Sequence, residues 1–367
     1  MLLLFVIVIT FGMGAKYNFV RAIASSEYES VPGLLQLKSL IADRLAAQSE
    51  QIAIEYSGNK DELSRKLPSI MKQAMAADDY TAYIIDSYRY IIRTWSNNAT
   101  VKISIVYRES KEQTTYVNRK VKNTVKSIIK PEMNDHEKVK AIHDWIIFNV
   151  KYDGQLKRYT AYEAIVSGKA VCQGYSLLAS KMLKEAGIKN RIIEGEVSTG
   201  DHAWNLVLIN GTWYHLDVTW DDPLPDRGNQ AAYNYYLRTD EEMRQDHSWT
   251  KSYPKASKSY AETLTVLMKR DPSREAFYRD VEKELPFYWT KPENTITGAD
   301  GLKKRIIEVA AAGDNSFKVR YLRGEQVEDD MKKAMYAVGS ISTYRMKYSS
   351  FGNDGAVLLE VGFILGK

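Results

Sequence analysis

The sequence predicts an α+β protein in which a central block, with helices packed on an antiparallel sheet, lies between two small modules. Three observations lead to this prediction. The 367 residues are enough for two or three domains, since a domain takes about 100–200 residues. Helical and strand periodicities mark three successive blocks. The order helix–strand–helix–strand–strand occurs in the first block and again in the last.

Five segments follow from these blocks. The first is a signal peptide or membrane anchor, and the others are an N-terminal α+β module, a central domain, a helical connector and a C-terminal module. Their predicted bounds are 1–24, 25–130, 131–250, 251–300 and 301–367.

Composition excludes several classes of protein. Hydrophobic residues make up 44% and charged residues 26%, which excludes disordered, collagen-like and multi-span membrane chains. The net charge of +5 is too small for this length to predict a nucleic-acid partner. A single cysteine excludes an intramolecular disulfide and cysteine-rich zinc sites, and with five histidines no metal or cofactor is predicted.

The amino end predicts export. Residues 2–13 are apolar, a length that suits a signal peptide better than a bilayer span of about 20 residues. An Ala-x-Ala pattern follows at 22–24, although no basic residue precedes the run, and Lys16 and Arg21 follow it. The protein is therefore expected outside the cytoplasm, secreted or anchored at the cell surface. A buried N-terminal element is the alternative.

The first block alternates helices and strands. Apolar residues recur at helical spacing in its helices and alternate in its strands. Its helices are predicted over 34–47, 61–77 and 112–130, and its strands over 51–56, 83–94 and 100–107.

The last block repeats this order. Helices are predicted over 302–312 and 325–337, and strands over 317–321, 340–348 and 356–364. Residues 87–90 resemble 343–346 at an offset of 256, and at the same offset Val101 falls on Val357, which predicts hairpin loops of equal length. Two copies of one module are the favoured interpretation, and chance likeness of short strands is the alternative. Neither copy contains cysteine or histidine, so a structural or binding role is expected.

The central block contains the residues with chemical potential. Asn134 is the predicted N-cap of a helix that ends near 149–153, and a second helix begins near Cys172 and stops at Gly187. Strands follow over 190–197, 203–209 and 212–217, and the last two are joined by Asn210 and Gly211. This pair of residues is a strong signal for a two-residue hairpin turn.

Cys172, His202 and Asp217 form a candidate triad. A cysteine at a helix start is favoured as a thiolate by unpaired N–H groups, and a nearby histidine could act as its base. A two-residue turn pairs Trp204 with Asp217 across the hairpin. Because side chains two apart share a strand face, Asp217 can reach His202 diagonally. Nucleophile, base and orienting carboxylate are thus predicted to meet.

Several motifs together resemble the transglutaminase-like superfamily, a branch of the papain-like cysteine enzymes. They occur in the family's order of cysteine, histidine and aspartate. The matching stretches are 137–153, 171–175, 202–205 and 213–220, and 235–249 looks like an extension of exported bacterial members.

The resemblance implies acyl transfer without a cofactor. Cys172 would attack an amide of a protein or cell-wall peptide, and a thioester would then be resolved by an amine or by water. Low-ranked candidates for the oxyanion site or pocket are Tyr152, Gln155, Gln173 and Trp204. A peptidase or amidase with the same triad, and a catalytically silent surface scaffold with a possible membrane tether, are the alternatives.

The remaining polar residues are predicted to be structural. His143 and His215 are expected in packing roles, and His136 and His247 are expected to face solvent or to cap helices. Asp221 and Asp222 begin an acidic turn whose spacing lacks a calcium-loop pattern.

Overall fold

The structure is a computed structural model, and it describes residues 28–95, 98–222, 231–352 and 354–366. The predicted export segment, 1–24, lies outside these ranges. In the described part of the chain, no helix is long and apolar enough to cross a membrane. The chain divides into two compact units, residues 1–258 and 259–367.

The first unit begins with a four-stranded sheet covered by helices. Its elements are β1 (Glu29–Val31), α1 (Leu34–Ala46), β2 (Gln51–Tyr56), α2 (Lys60–Met75), α3 (Asp79–Ile84), β3 (Ile85–Trp95) and β4 (Asn98–Tyr107). The strand order is β1-β2-β4-β3. Leu37, Ile41 and Leu45 of α1 are buried in one core with Val101 and Ile103 of β4, which is the stripe that helical spacing predicts.

Helix α3 lies where the sequence predicted the start of a strand. Residues 83 and 84 belong to this helix, and β3 begins only at Ile85. The Asp78 side chain accepts a hydrogen bond from Tyr80 N at 3.2 Å and one from the Thr81 hydroxyl at 3.0 Å. This N-cap starts a helical turn although the following residues are apolar and β-branched.

The same unit continues with helices packed on a second sheet. Its elements are α4 (Lys111–Ile128), α5 (Asp135–Asn149), β5 (Lys151–Tyr152), α6 (Ala161–Ser167), β6 (Lys169–Ala170), α7 (Cys172–Glu185), β7 (Asn190–Val197), β8 (Gly200–Ile209), β9 (Thr212–Leu216), β10 (Tyr236–Arg238) and α8 (Asp240–Met243). The sheet order is β10-β9-β8-β7, and all its pairs are antiparallel. This confirms the predicted α+β class.

Helix α7 lies at the centre of this layer. It contacts α4, α5 and α6 as well as β7 and β8. Helix α4 was assigned to the N-terminal module from the sequence, yet it packs on α6 and α7. The predicted bounds of the finer domains stay predictions.

The second unit contains a further helical stretch and a third sheet. Its elements are α9 (Tyr260–Arg270), α10 (Glu275–Glu284), α11 (Pro286–Trp289), β11 (Thr295–Ile296), α12 (Gly298–Ala311), β12 (Ser316–Tyr321), α13 (Val327–Val338), β13 (Ile341–Ser350) and β14 (Val357–Leu365). The strand order is β11-β12-β14-β13.

The first and third sheets have one topology. In each, a short parallel strand precedes the first predicted helix, and the second strand of the long hairpin pairs with the middle strand in antiparallel fashion. The first strand of each hairpin carries an irregularity at an equivalent place, between Ile85 and Ser87 and between Ile341 and Thr343. Shared topology and a shared irregularity support two copies of one module.

The registers correct one detail of the predicted repeat. Tyr88 pairs with Ile105, and Tyr344 pairs with Phe363. The first hairpin strands are thus offset by 256 and the second by 258, so Val101 corresponds to Leu359 and not to Val357. Between the equivalent pairs, Thr94 with Ala99 and Ser350 with Val357, the second hairpin contains two residues more than the first, and the predicted equal loop length is wrong.

Candidate active site

Cys172 occupies the first position of α7, after the N-cap residue Val171. The cysteine is partly buried. No side chain caps this helix end, so its first N–H groups and the helix dipole favour negative charge there. Gly174 permits close packing behind the cysteine, because a Cβ at this position would lie 2.6 Å from the Ala170 Cβ.

His202 and Asp217 meet across the hairpin of β8 and β9. The pairing of Asn205 with Leu216 is the register that the two-residue turn predicts. Asn210 and Gly211 have positive φ angles of 49° and 81°, as a type I′ turn requires. The His202 Nε2 lies 2.6 Å from the Asp217 Oδ2.

Asp217 is a fully buried carboxylate with four hydrogen-bond partners. Its Oδ2 faces the Nε2 atoms of His202 and His247, at 2.6 and 3.1 Å. Its Oδ1 accepts from the backbone N–H groups of Thr219 and Trp220, at 3.0 and 3.2 Å. Burial by itself raises the pKa of Asp217, but the charges and hydrogen bonds of the two histidines outweigh burial and lower the pKa well below its ordinary range.

His202 links Asp217 to Cys172. Because its Nε2 faces Asp217, its Nδ1 is left for the Cys172 thiol, which is within hydrogen-bonding reach of the ring. Burial by itself lowers the pKa of His202. The charge of Asp217 and the hydrogen bonds to Asp217 and Cys172 outweigh burial and raise the pKa to about 10. The surroundings of the ring, above all Asp217, thus favour its imidazolium form.

A chain of polar contacts fixes the Trp204 ring that stacks on His202. The two ring centroids are 5.8 Å apart, with an interplanar angle of 22°. The Trp204 indole N–H donates to the Nδ1 of His215 at 2.9 Å. The Nε2 of His215 must then carry the ring proton, and it lies 2.9 Å from the Asp240 Oδ1. His215, predicted to be a packing residue, orients Trp204 through this chain.

His247 is a member of the site that the sequence did not reveal. It was predicted to face solvent or to cap a helix, yet it is only 2% exposed, and His136 is 1% exposed. Its Nδ1 lies 2.6 Å from the Asp246 Oδ1. It lies on a short irregular segment after β10 and α8, so no strand register could have placed it beside Asp217.

The four oxyanion or pocket candidates have different surroundings. The Gln173 amide donates to the Tyr83 carbonyl oxygen at 2.7 Å, and the Trp204 N–H is used by His215. Gln155 is exposed. Tyr152 is partly exposed and lies within electrostatic range of Cys172, and burial is the main cause that raises its pKa.

The N-terminal sheet region contributes one wall of the site. Arg191 of β7 binds Asp79 of α3 through two hydrogen bonds of 2.7 and 3.0 Å. The Ile192 N–H also donates to the Asp79 carboxylate, at 2.9 Å. These bonds hold Tyr83 within electrostatic range of Cys172, and burial raises the pKa of Tyr83 far above its ordinary value.

A second buried histidine cluster supports the turn after Asp217. The His143 ring nitrogens lie 2.9 Å from Asp144 and 3.2 Å from Asp221. Burial raises the pKa of Asp221 to about 6. The Asp222 carboxylate accepts from the Tyr175 hydroxyl at 2.6 Å. Two acids of the predicted acidic turn, Asp221 and Asp222, are thus buried and hydrogen-bonded, and the third, Asp226, lies outside the described residues.

Metal-ligand spacing occurs once in the described residues, in the group His202, Asp217 and His247. The two Nε2 atoms both face the same Asp217 Oδ2. The N–H groups and the carboxylate therefore satisfy one another, and hydrogen bonding accounts for the cluster without an ion.

Comparison with known proteins relates one stretch of the chain to a protein family. The family model for the transglutaminase-like superfamily matches residues 122–218. Kyphoscoliosis peptidase from Mus musculus and from Homo sapiens is 31% identical over 120 residues, which is 28% of this chain and 18% of each relative. The chain thus spans less than a fifth of the length of these relatives.

Two solved structures show more distant likeness. A structure described as a TGase gives a TM-score of 0.28 at 14% identity, covering 46% of this chain and 51% of its own. A candidate cysteine protease from Cytophaga hutchinsonii gives 0.26 at 18% identity, covering 34% and 55%. Residues 122–218 thus match the transglutaminase-like superfamily, and Cys172, His202 and Asp217 all lie within the matched stretch.

Proposed function

We propose that the protein is a thiol enzyme that transfers the acyl group of an amide through Cys172, His202 and Asp217. The observation that carries this proposal is the buried His202 ring, which lies 2.6 Å from Asp217 and within hydrogen-bonding reach of Cys172. The superfamily match over residues 122–218 supports the same chemistry.

In the first step, the Cys172 Sγ forms a bond to the amide carbonyl carbon. The first N–H groups of α7 stabilise the negative charge on the carbonyl oxygen. His202 transfers its Nδ1 proton to the amide nitrogen, the C–N bond breaks, and ammonia or an amine leaves. A thioester on Cys172 and a neutral His202 remain.

In the second step, an amine or water attacks the thioester, and His202 accepts the proton. The C–S bond breaks and restores the thiolate and the imidazolium. Asp217 keeps the His202 ring oriented throughout, so that the ring Nδ1 faces the Cys172 sulfur. The relatives that match at 31% identity are named peptidases, which favours water as a second candidate acceptor.

A direct test uses casein, dansylcadaverine and the full chain. We expect incorporation of the fluorescent amine, or release of ammonia or new amino ends if water is the acceptor. Cys172→Ala and His202→Gln should abolish either product, and His136→Gln is the control because this buried histidine lies outside the triad. Products that persist in Cys172→Ala would overturn the enzyme proposal.

Thiol reactivity separates the enzyme from a silent scaffold. At pH 6.5, alkylation of Cys172 by iodoacetamide should be at least about tenfold slower in His202→Gln than in the wild type, because the paired thiolate is lost. Equal rates would favour a scaffold in which the fold alone is used.

We also propose that the protein acts outside the cytoplasm on protein or cell-wall peptides, with no nucleic-acid partner. The apolar run 2–13 and the Ala-x-Ala pattern at 22–24 support export. Cell fractionation with sequencing of the mature amino end tests this proposal, and an intact chain found only in the cytoplasm would contradict it.

A further inference from the structure

The chemistry proposed above uses one of the two histidines that contact Asp217. The other, His247, is held by a short irregular segment that is fixed to the edge strand β7. Glu196 and Ser248 exchange two backbone hydrogen bonds, of 2.8 and 2.9 Å. Trp220 and Trp204 contact the His247 ring, with centroid distances of 4.6 and 5.0 Å. The ring is therefore fixed in place before any substrate binds.

Both nitrogens of His247 face carboxylate oxygens. The Nδ1 lies 2.6 Å from the Asp246 Oδ1, and the Nε2 lies 3.1 Å from the Asp217 Oδ2. Each of these bonds needs a proton, because an ionised carboxylate only accepts. An ordinary carboxylate is the weaker base of the pair, so both protons belong to the ring. The arrangement is that of an imidazolium between two carboxylates.

The site therefore contains a row of alternating carboxylates and imidazoles. Asp246, His247, Asp217 and His202 follow one another through hydrogen bonds, and Cys172 lies next to His202. Two cationic rings share a single oxygen of Asp217. The charge of this carboxylate is consequently divided between them, and a cation 5.4 Å from His202, measured between ring centroids, opposes its protonation.

We infer that His247 is a positioning residue of the thiol site: it helps to hold the Asp217 carboxylate through the same oxygen that faces His202, and it weakens the hold of Asp217 on the His202 proton. This role rests on the proposed function, because it matters when His202 must give that proton to the leaving nitrogen. A histidine paired with Asp217 alone would hold the proton more tightly, and the release of the amine would be slower.

The other groups around His247 are consistent with this charge pattern. The Tyr235 hydroxyl donates to the Asp246 Oδ2 at 2.6 Å and keeps that carboxylate turned to the ring. The nearby His215 has a pKa lowered mainly by burial. His202, Asp217 and Asp246 are then the charged groups that face the ring in the described part of the chain.

The first experiment needs neither a variant nor an activity. In full-length wild-type protein labelled with ¹⁵N-histidine, long-range proton–nitrogen spectra distinguish an N–H nitrogen from a bare one. At neutral pH we expect two N–H nitrogens for His247, assigned by comparison with His247→Gln. One bare nitrogen on this ring would overturn the inference, whatever the protein does to amides.

The second experiment compares His247→Gln with His247→Phe. Glutamine keeps one N–H for Asp217 without the charge, and phenylalanine keeps only the packing. In both variants the pH midpoint of the His202 ring, followed by NMR, should rise by about one unit because a neighbouring cation is lost. Alkylation of Cys172 should slow in the phenylalanine variant and be rescued in the glutamine variant.

His136→Gln is the matched control and should leave the His202 midpoint unchanged. A His202 midpoint that stays at the wild-type value in correctly folded His247→Gln would show that His247 is a packing residue. If the His202 ring showed no titration in the wild type, that result would count against the proposed function itself. The two failures can therefore be told apart.

Discussion

At the scale of single residues, Asp217 organises the site. It is a charge without solvent contact, and its stability in the core depends on four donors from two histidine rings and two backbone N–H groups. Removing one partner of a buried charge pair leaves the others desolvated and unpaired, which is usually more costly than the pair itself was favourable.

Asp217→Ala is therefore expected to lower the free energy of unfolding by about 3–5 kcal/mol, as is typical when a buried pair is broken. Urea denaturation of the full chain, followed by tryptophan fluorescence, measures this loss. Asp201→Ala, on the exposed part of the same hairpin, should change the value by less than about 0.5 kcal/mol. Similar losses in the two variants would contradict the role given to Asp217.

The three triad residues could be predicted because local rules place them. A helix start positions Cys172, and a two-residue turn sets the register that brings Asp217 to His202. The side-chain partners of Gln173 and Trp204 depend on Tyr83 and His215, which only tertiary packing brings near. His247 lies on an irregular segment after α8, where no periodicity could predict its position.

At the scale of elements, α3 is the part of the first module that reaches the thiol site. Its Asp79 is mostly shielded, and it binds both the guanidinium of Arg191 and a backbone N–H of β7. Hydrogen bonds to a charged group in such a geometry are stronger than those of an exposed ion pair.

Asp79→Ala should cost about 1.5–3 kcal/mol and should increase hydrogen exchange in α3 and at the start of α7. Asp86→Ala is the control, since its ion pair with Arg108 is exposed and is expected to contribute less than about 1 kcal/mol. Unchanged exchange near Cys172 in Asp79→Ala would show that α3 does not support the site.

Helices α3 and α6 were not predicted from the sequence, for different reasons. The residues of α3 have the apolar alternation of a strand, and the cap at Asp78 decides for a helix. Helix α6 carries a capping box between Thr160 and Glu163, a Thr-x-x-Glu signal that sequence analysis could have used. The long strands and helices, with strong periodicity, were predictable.

The two modules use different residues at the same left-handed position. Gln48 has a φ angle of 54°, and Gly313 follows the equivalent helix with a φ angle of 81°. No atom lies within 4 Å of a Cβ placed on Gly313. Gly313→Ala should therefore destabilise the second unit through backbone strain alone, by about 1 kcal/mol.

Thermal unfolding of Gly313→Ala and Gly154→Ala makes this comparison, because Gly154 also has free space for a Cβ but is not among the glycines with positive φ. A destabilisation confined to Gly313→Ala is the expected result. Equal effects at both positions would mean that φ is not the cause.

At the scale of the whole molecule, buried histidines make stability depend on pH. The pKa of His202 is raised to about 10 and that of His143 is also raised, in each case by carboxylates that outweigh burial. A group whose pKa is higher in the folded than in the unfolded state stabilises the fold below the unfolded value, about 6.5 for histidine. This contribution is lost as the pH rises towards the folded value.

We therefore expect the Tm of the first unit to fall between pH 7 and pH 10, with a contribution from His202 of at most about 1.4 kcal/mol per pH unit. Asp217 acts at the other end of the range, since its lowered pKa makes its contribution disappear under acidic conditions. Calorimetry of the wild type and His202→Gln tests the alkaline slope, which should be shallower in the variant. An equal slope would exclude His202 as its source.

The sequence predicts two like modules around a central block, and within this predicted repeat the alignment of the second hairpin strands is off by two residues. The periodicity could not reveal this error, because a shift of two leaves the same residues buried. Only the pairing of Tyr88 with Ile105 and of Tyr344 with Phe363 fixes the register.

The longer loop after β13 has a consequence for how the two copies could diverge. Side chains alternate between the two faces of a sheet, so a shift of one residue moves each side chain to the other face and a shift of two does not. The difference of two residues between equivalent pairs therefore keeps each side chain on its face, and the irregular position near Asp86 and Ser342, which shifts the pairing by one, occurs in both hairpins. A difference of one residue would instead turn the buried face of one strand towards solvent.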